Sequence, residues 1–177
     1  MLIVITGGAA SGKSAQAERI LCERAARGSR LYLATMQPFG QAARARMLRH
    51  HKLRAGKGFD TIERYTGLEH LKLERQYDGI LLECMSNLLA NEQFSPDGAG
   101  EAHAVACILR GIDSLRTQCR NLVVVTNEIF SDGEAYPEET MQYMRMLGQI
   151  NCALAERADV VLYTVCGILV AQKGKIL

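Results

Sequence analysis

Eight consecutive residues, Gly7-Gly8-Ala9-Ala10-Ser11-Gly12-Lys13-Ser14, carry glycine, lysine and a hydroxyl at the spacing G-x-x-x-x-G-K-[ST]. Glycine at the first and sixth positions lets the backbone fold tightly, so that successive N–H groups point inward at phosphate oxygens. The lysine that follows reaches β- and γ-phosphates, and the hydroxyl after it is a Mg²⁺ ligand. An apolar stretch at residues 2–6 precedes the run and an amphipathic one follows from Lys13, which is the strand–loop–helix context such a loop requires. A Gly-rich turn that binds nothing would not need that context. The residues imply a protein that handles a nucleoside triphosphate.

Two further groups could join this chemistry. Gly79-Ile80-Leu81-Leu82-Glu83 is an apolar run ending in a carboxylate. An acid in that position holds Mg²⁺, directly or through water, or orients a nucleophile. Glu83 is therefore the expected Mg²⁺-side acid beside Ser14, with Glu128 second, whereas Asp78 starts its strand and belongs at the opposite end. The other group lies in the basic segment between Arg44 and Arg54. At helical spacing Arg46, His50 and Arg54 share a face. Flanking guanidiniums disfavour the imidazolium and leave a neutral, nucleophilic ring, and they also suit a triphosphate and departing pyrophosphate. The alternative is a solvated basic face, as most charge runs are. His51 points about 100° away from His50 on a helix, so the pair does not suggest a shared metal.

The elements that must position these groups alternate along the chain. Strands are expected at residues 2–6, 31–34, 61–65, 79–83, 122–126 and 160–165, and helices at 13–27, 41–52, 85–91, 100–119 and 138–158. Near-continuous apolar strands alternating with helices indicate an α/β fold, a mainly parallel sheet with helices on both faces, in a single domain over residues 1–177. Ligands of such sheets collect at the carboxyl ends of the strands. That directs attention to the loop at 7–14, Thr35-Met36, Glu83 and Thr126-Asn127-Glu128. Residues 93–100, with Pro96-Asp97-Gly98, read as a turn-rich loop and a candidate mobile segment. A net charge of +2 on 177 residues gives no argument for nucleic acid, no apolar run is long enough for a membrane span, and six scattered cysteines lack metal-ligand spacing. These features suit a soluble cytoplasmic protein.

Several of these segments occur together in one known family. Gly7–Ser14, Ala34-Thr35, Arg46-x-x-x-His50-x-x-x-Arg54, Leu81-Leu82-Glu83-Cys84, Thr126-Asn127-Glu128 and Gly148-x-x-Asn151 follow in that order. The chain thereby resembles, over nearly its whole length, the bifunctional adenosylcobinamide kinase / adenosylcobinamide-phosphate guanylyltransferase family of cobalamin biosynthesis. The resemblance implies a RecA-like phosphate-loop fold and a homo-oligomer, a trimer. It also implies two reactions: phosphorylation of adenosylcobinamide by ATP or GTP with Mg²⁺, then transfer of GMP from GTP to adenosylcobinamide phosphate. By the same resemblance His50 is the guanylylated nucleophile, with Lys13 the catalytic lysine. Nucleotide contacts fall on Gly7–Ser14, Ala34-Thr35-Met36, His51-Lys52-Leu53-Arg54, Glu63 and Glu83. The chain departs from the family pattern at Ala10, where many members carry Arg, and at Ile129–Gly133. Two other functions remain compatible with the residues: a single-function phosphate-loop kinase without guanylyl transfer, and a nucleotide module acting through partners.

Overall fold

The apolar runs at 2–6, 31–34, 79–83 and 122–126 are buried on both faces, which explains why polar alternation is missing from them. The computed structural model describes residues 1–38, 40, 41, 48 and 56–175. In chain order the elements are β1 (Leu2–Gly7), α1 (Lys13–Arg24), β2 (Arg30–Ala34), β3 (Phe59–Glu63) and β4 (Tyr77–Leu82). Then come α2 (Met85–Phe94), α3 (Ala104–Thr117), β5 (Cys119–Val125), α4 (Glu138–Arg157), β6 (Val160–Val165) and β7 (Ile168–Lys173). The strands form one seven-stranded sheet in the order β3-β2-β4-β5-β1-β6-β7. All neighbours are parallel except β6 and β7.

Alternate strand residues build two cores. Ile3, Ile5, Leu81, Val123 and Leu162 pack against Ala17, Ile20 and Leu21 of α1. Leu2, Val4, Leu33, Leu82 and Val124 face the other way, onto Leu88, Ile112, Leu147 and Leu154 of α2, α3 and α4. The helices thus cover both faces. The chain leaves β1 over the α1 face, whereas it leaves β4 and β5 over the opposite face. The carboxyl ends of β1, β5 and β4 therefore border a crevice where successive connections diverge, the place where such sheets bind ligands.

Details differ from the expectation. β3 lies two residues earlier than the alternation at 61–65 suggests, and α3 starts at Ala104 rather than at residue 100. β7 was not expected at all. It is an edge strand with mostly exposed side chains, and its short apolar run 168–171 continues that of β6 after only two residues. α2 runs on to Phe94 where a loop was expected from residue 93, and residues 126–137, without helix or strand, form a longer connection than 95–103.

Candidate nucleotide-binding site

The phosphate loop joins β1 to α1 with the backbone that its glycines permit. Gly7 has φ +154° and Gly12 φ +91°, and a Cβ on Gly7 would stand 2.6 Å from the Thr164 carbonyl oxygen. Ala10 also adopts a left-handed backbone, φ +54°, the region that favours glycine. Gly12 caps α1 without any side-chain hydrogen bond, no acidic residue occupies the first turn, and the Gln16 amide makes the opening rung to the Gly12 carbonyl. The N–H groups ahead of that rung are the open donors of a helix start, and the dipole there favours an anion. Lys13 is only 9 % exposed, and its Nζ donates to the Gly8 carbonyl at 2.8 Å. Burial lowers its pKa, with the Cys84 thiol acting weakly the other way.

Glu83 follows β4 immediately and is 7 % exposed. Its Oε2 accepts the amides of Thr35 at 3.0 Å and Met36 at 3.2 Å, while its own amide donates to the Leu33 carbonyl. The acid thus holds the backbone where β2 ends. Thr35 is a connector: its Oγ1 donates to the Cys84 carbonyl, and its carbonyl accepts from Asn91 Nδ2, which also donates to the Tyr65 carbonyl. Glu63 pairs with Ala34 across β3 and β2 and accepts the Tyr65 hydroxyl at 2.6 Å. Burial, then that hydrogen bond, pushes the Tyr65 pKa up to about 12. Ala34, Thr35, Met36, Glu63 and Glu83 therefore gather at the carboxyl ends of β3, β2 and β4, with the phosphate loop two strands away across β5.

The segment after β5 fills the gap. Asn127 Nδ2 donates to Ser86 Oγ at 2.7 Å, and the Glu128 amide donates to the Gly7 carbonyl at 3.1 Å. From α4, Asn151 accepts the Thr126 hydroxyl at 2.6 Å and donates to the Asn127 carbonyl at 3.2 Å. Tyr143 donates to the Ser86 carbonyl. Glu128 turns its carboxylate onto Phe130 and Ser131 of its own loop. Asp78 lies at the other end of the sheet, as expected, bonded to Ser29. Asn91, Ser86 and Tyr143 were missed by sequence reasoning. No signal marked them, because polar residues make up half of α2 and its buried Asn91 does not stand out among them.

The loop that follows α2, residues 95–103, is tied down. Glu92, buried beneath it, accepts the amides of Gly67 and Ala99 through its two carboxylate oxygens, and its carbonyl accepts the Gly100 amide. Ser95 also accepts from Gln37, so the loop borders the segment after β2. His50, His51, Lys52, Leu53, Arg54 and Arg46 lie outside the described residues. The next anchored side chain is Lys57, whose Nζ meets Glu18 of α1 at 2.7 Å.

Comparison with known proteins gives a consistent result. Residues 3–171 match the family described as cobinamide kinase / cobinamide phosphate guanyltransferase. The chain is 30% identical over 185 residues to the bifunctional adenosylcobalamin biosynthesis protein CobU of Escherichia coli K12, covering 98% of this chain and all of that one. It is 32% identical over 187 residues to the Salmonella typhimurium protein of the same name, again over 98% and 100%. Pseudomonas aeruginosa CobP is 28% identical over 97% of each chain. Among solved structures the fold is similar to the flagellar accessory protein FlaH of Methanocaldococcus jannaschii, with TM-score 0.53, 17% identity and coverage of 98% and 78%. It is also similar to the ATPase domain of G40P, with TM-score 0.53, 8% identity and coverage of 92% and 68%. These two bear on the fold alone, a RecA-like phosphate-loop architecture.

Proposed function

The chain belongs to the cobinamide kinase / cobinamide phosphate guanyltransferase family, and from that premise we propose that it catalyses both reactions of its bifunctional relatives. It phosphorylates adenosylcobinamide from ATP or GTP, then transfers GMP from GTP to the resulting phosphate, releasing pyrophosphate. The observation that carries this reading is a complete phosphate loop whose buried Lys13 and open helix start face the carboxyl ends of β4 and β5, combined with family similarity over nearly the full chain.

In the kinase step the backbone of Gly7–Ser14 holds the phosphates and Lys13 leaves the Gly8 carbonyl for β- and γ-phosphate oxygens. Positioning and charge stabilisation account for most of the catalysis in such transfers. Ser14 and Glu83 would hold Mg²⁺, since a hydroxyl and a carboxylate are the hard oxygen donors it selects. When bound, the ion neutralises charge on the β- and γ-phosphates. Glu83 suits that role because two amides fix its orientation.

In the transferase step neutral His50 attacks the α-phosphorus of GTP. The N–P bond forms as the bond to the bridging oxygen breaks and pyrophosphate leaves. The phosphate oxygen of adenosylcobinamide phosphate then attacks the same phosphorus and His50 departs, which splits one hard displacement into two easier ones. Arg46 and Arg54 keep the ring neutral beforehand. His51, Lys52, Leu53, Arg54, Ala34, Thr35, Met36 and Glu63 complete the nucleotide contacts in this reading. The working form is a homo-oligomer, a trimer by family resemblance.

The test is covalent labelling. GTP labelled at the α-phosphate should leave acid-labile, base-stable label on the denatured protein, and γ-labelled GTP should leave none. His50→Asn should abolish the label while kinase turnover survives, and His51→Asn should be milder. Label lost only in the His51 variant would move the nucleophile by one residue. No label in the wild type would leave a plain phosphate-loop kinase.

A further inference from the structure

Asn91 and Glu92, consecutive on α2, are buried polar side chains, 9% and 1% exposed, and each makes two hydrogen bonds to backbone. They are opposite in kind. Asn91 Nδ2 donates to the carbonyls of Thr35 at 2.8 Å and Tyr65 at 3.1 Å. Both partners are acceptors, so only the nitrogen end of the amide can face them, and both of its hydrogens are used. Glu92 accepts the amides of Gly67 at 2.7 Å and Ala99 at 3.0 Å, one on each carboxylate oxygen. Their reach differs as well. Asn91 meets the ends of β2 and β3, whereas Glu92 meets the start of the short helical turn Leu68–His70 and the loop after α2.

The Thr35 carbonyl and the Met36 amide belong to one peptide unit. Such a unit is planar and trans, so its C=O and N–H point in opposite directions. At one end Asn91 holds the oxygen, and at the other the N–H donates to Glu83 Oε2 at 3.2 Å. The Thr35 amide donates to the same carboxylate oxygen at 3.0 Å, and the Thr35 hydroxyl to the Cys84 carbonyl. Thr35 and Met36 follow β2 and lie outside any helix or strand, so no ladder of the sheet sets the tilt of this peptide. Side chains set it, Asn91 from one end and Glu83 from the other.

We propose that Asn91 is a positioning residue of the nucleotide site, which aims the Met36 amide at Glu83 and so fixes the carboxylate that would hold Mg²⁺. The proposal rests on the metal role given to Glu83 above and adds the group that keeps that acid's support in place. Removing the Asn91 amide frees the Thr35 carbonyl, lets the peptide rotate and takes a donor from Glu83 Oε2. A ligating carboxylate depends on outer hydrogen bonds of this kind for its orientation. Loss of the Glu92 bonds costs stability by the same physics. Among the described residues, however, it leaves every hydrogen bond around Thr35 and Glu83 intact. Glu92 is therefore a matched control one residue away.

The test uses the full-length protein as wild type, Asn91→Ala and Glu92→Gln. Calorimetry gives the affinity for a non-hydrolysable ATP analogue with Mg²⁺ and with EDTA, and NMR follows hydrogen exchange of the Met36 amide. The wild type should bind the analogue more tightly with Mg²⁺. In Asn91→Ala that gain should shrink about tenfold, and Met36 exchange should quicken about tenfold. Its affinity in EDTA should stay near that of the wild type, because the phosphate loop is untouched. Glu92→Gln should lower the urea midpoint and move neither readout. Asn91→Ser, whose hydroxyl is too short for either carbonyl but keeps the space polar, is the second variant and should behave as Asn91→Ala. Asn91 variants with the wild-type Mg²⁺ gain and Met36 exchange overturn the proposal. So does an equal change in Glu92→Gln, which is the mark of general loosening. Absence of any Mg²⁺ gain in the wild type overturns the metal role of Glu83, and Met36 exchange alone then decides whether Asn91 holds the peptide.

Discussion

Lys13 shows how a catalytic residue can burden the fold that carries it. Its ammonium is buried and rests on the neutral Gly8 carbonyl, and desolvation lowers its pKa. A buried cation compensated by a neutral oxygen costs stability until an anion arrives. Lys13→Ala should therefore remove phosphoryl transfer by several orders of magnitude. Its thermal midpoint should equal or exceed that of the wild type. A coupled kinase assay beside calorimetry checks both, and a midpoint several degrees lower would show that the ammonium supports the fold. The phosphate loop was legible at this scale because its chemistry is consecutive in sequence. Thr35 was legible as a place, the end of β2, and its job was not. Its amide, hydroxyl and carbonyl are all engaged by Glu83, Cys84 and Asn91, partners 48 to 56 residues away, so it braces the site.

Elements place the site by tying helix faces to strand ends. α4 does so through Asn151, which satisfies the Thr126 hydroxyl and the Asn127 carbonyl together. Asn151→Ala leaves both groups without their partner, at a cost of about 1–3 kcal/mol. The urea midpoint should fall with the slope unchanged, and kinase turnover should fall as Asn127 loses its anchor. Replacing both sides with apolar groups, Thr126→Val with Asn151→Leu, should recover part of the stability and none of the turnover. A single variant as stable as wild type would remove the brace. The α4 bounds were legible almost to the residue, since an amphipathic stretch between Pro137 and a strand has little freedom. β7 went unread because register with β6, not a buried face, defines it, and Gly167 alone punctuates the apolar residues on either side of the turn.

At the scale of the whole molecule the two cores differ in chemistry. The α1 side is aliphatic apart from Tyr32 and the partly buried Phe59, whereas the α2–α4 side encloses Tyr77, Cys119 and, in part, Tyr143. Burial pushes Cys119, at the start of β5, up to about 11, and Tyr143, on α4, up to about 12. In the unfolded chain the same groups titrate near 9.0 and 10.0. Above those values the unfolded chain binds fewer protons than the folded one, so stability decreases as pH rises. The contribution is complete below about pH 9 and is lost progressively as pH passes through about 11 and then about 12, on the order of 2–3 kcal/mol for each group. Urea midpoints should therefore be level from pH 7 to about 9 and fall steeply beyond. Tyr143→Phe keeps the ring packing but cannot ionise, so its midpoint should fall less between about pH 10 and 12. At neutral pH the variant loses only the hydrogen bond to the Ser86 carbonyl, roughly 1 kcal/mol. The wild-type and variant curves should accordingly converge as pH rises. Parallel curves would mean that Tyr143 is solvated in the native state and that the alkaline loss arises elsewhere.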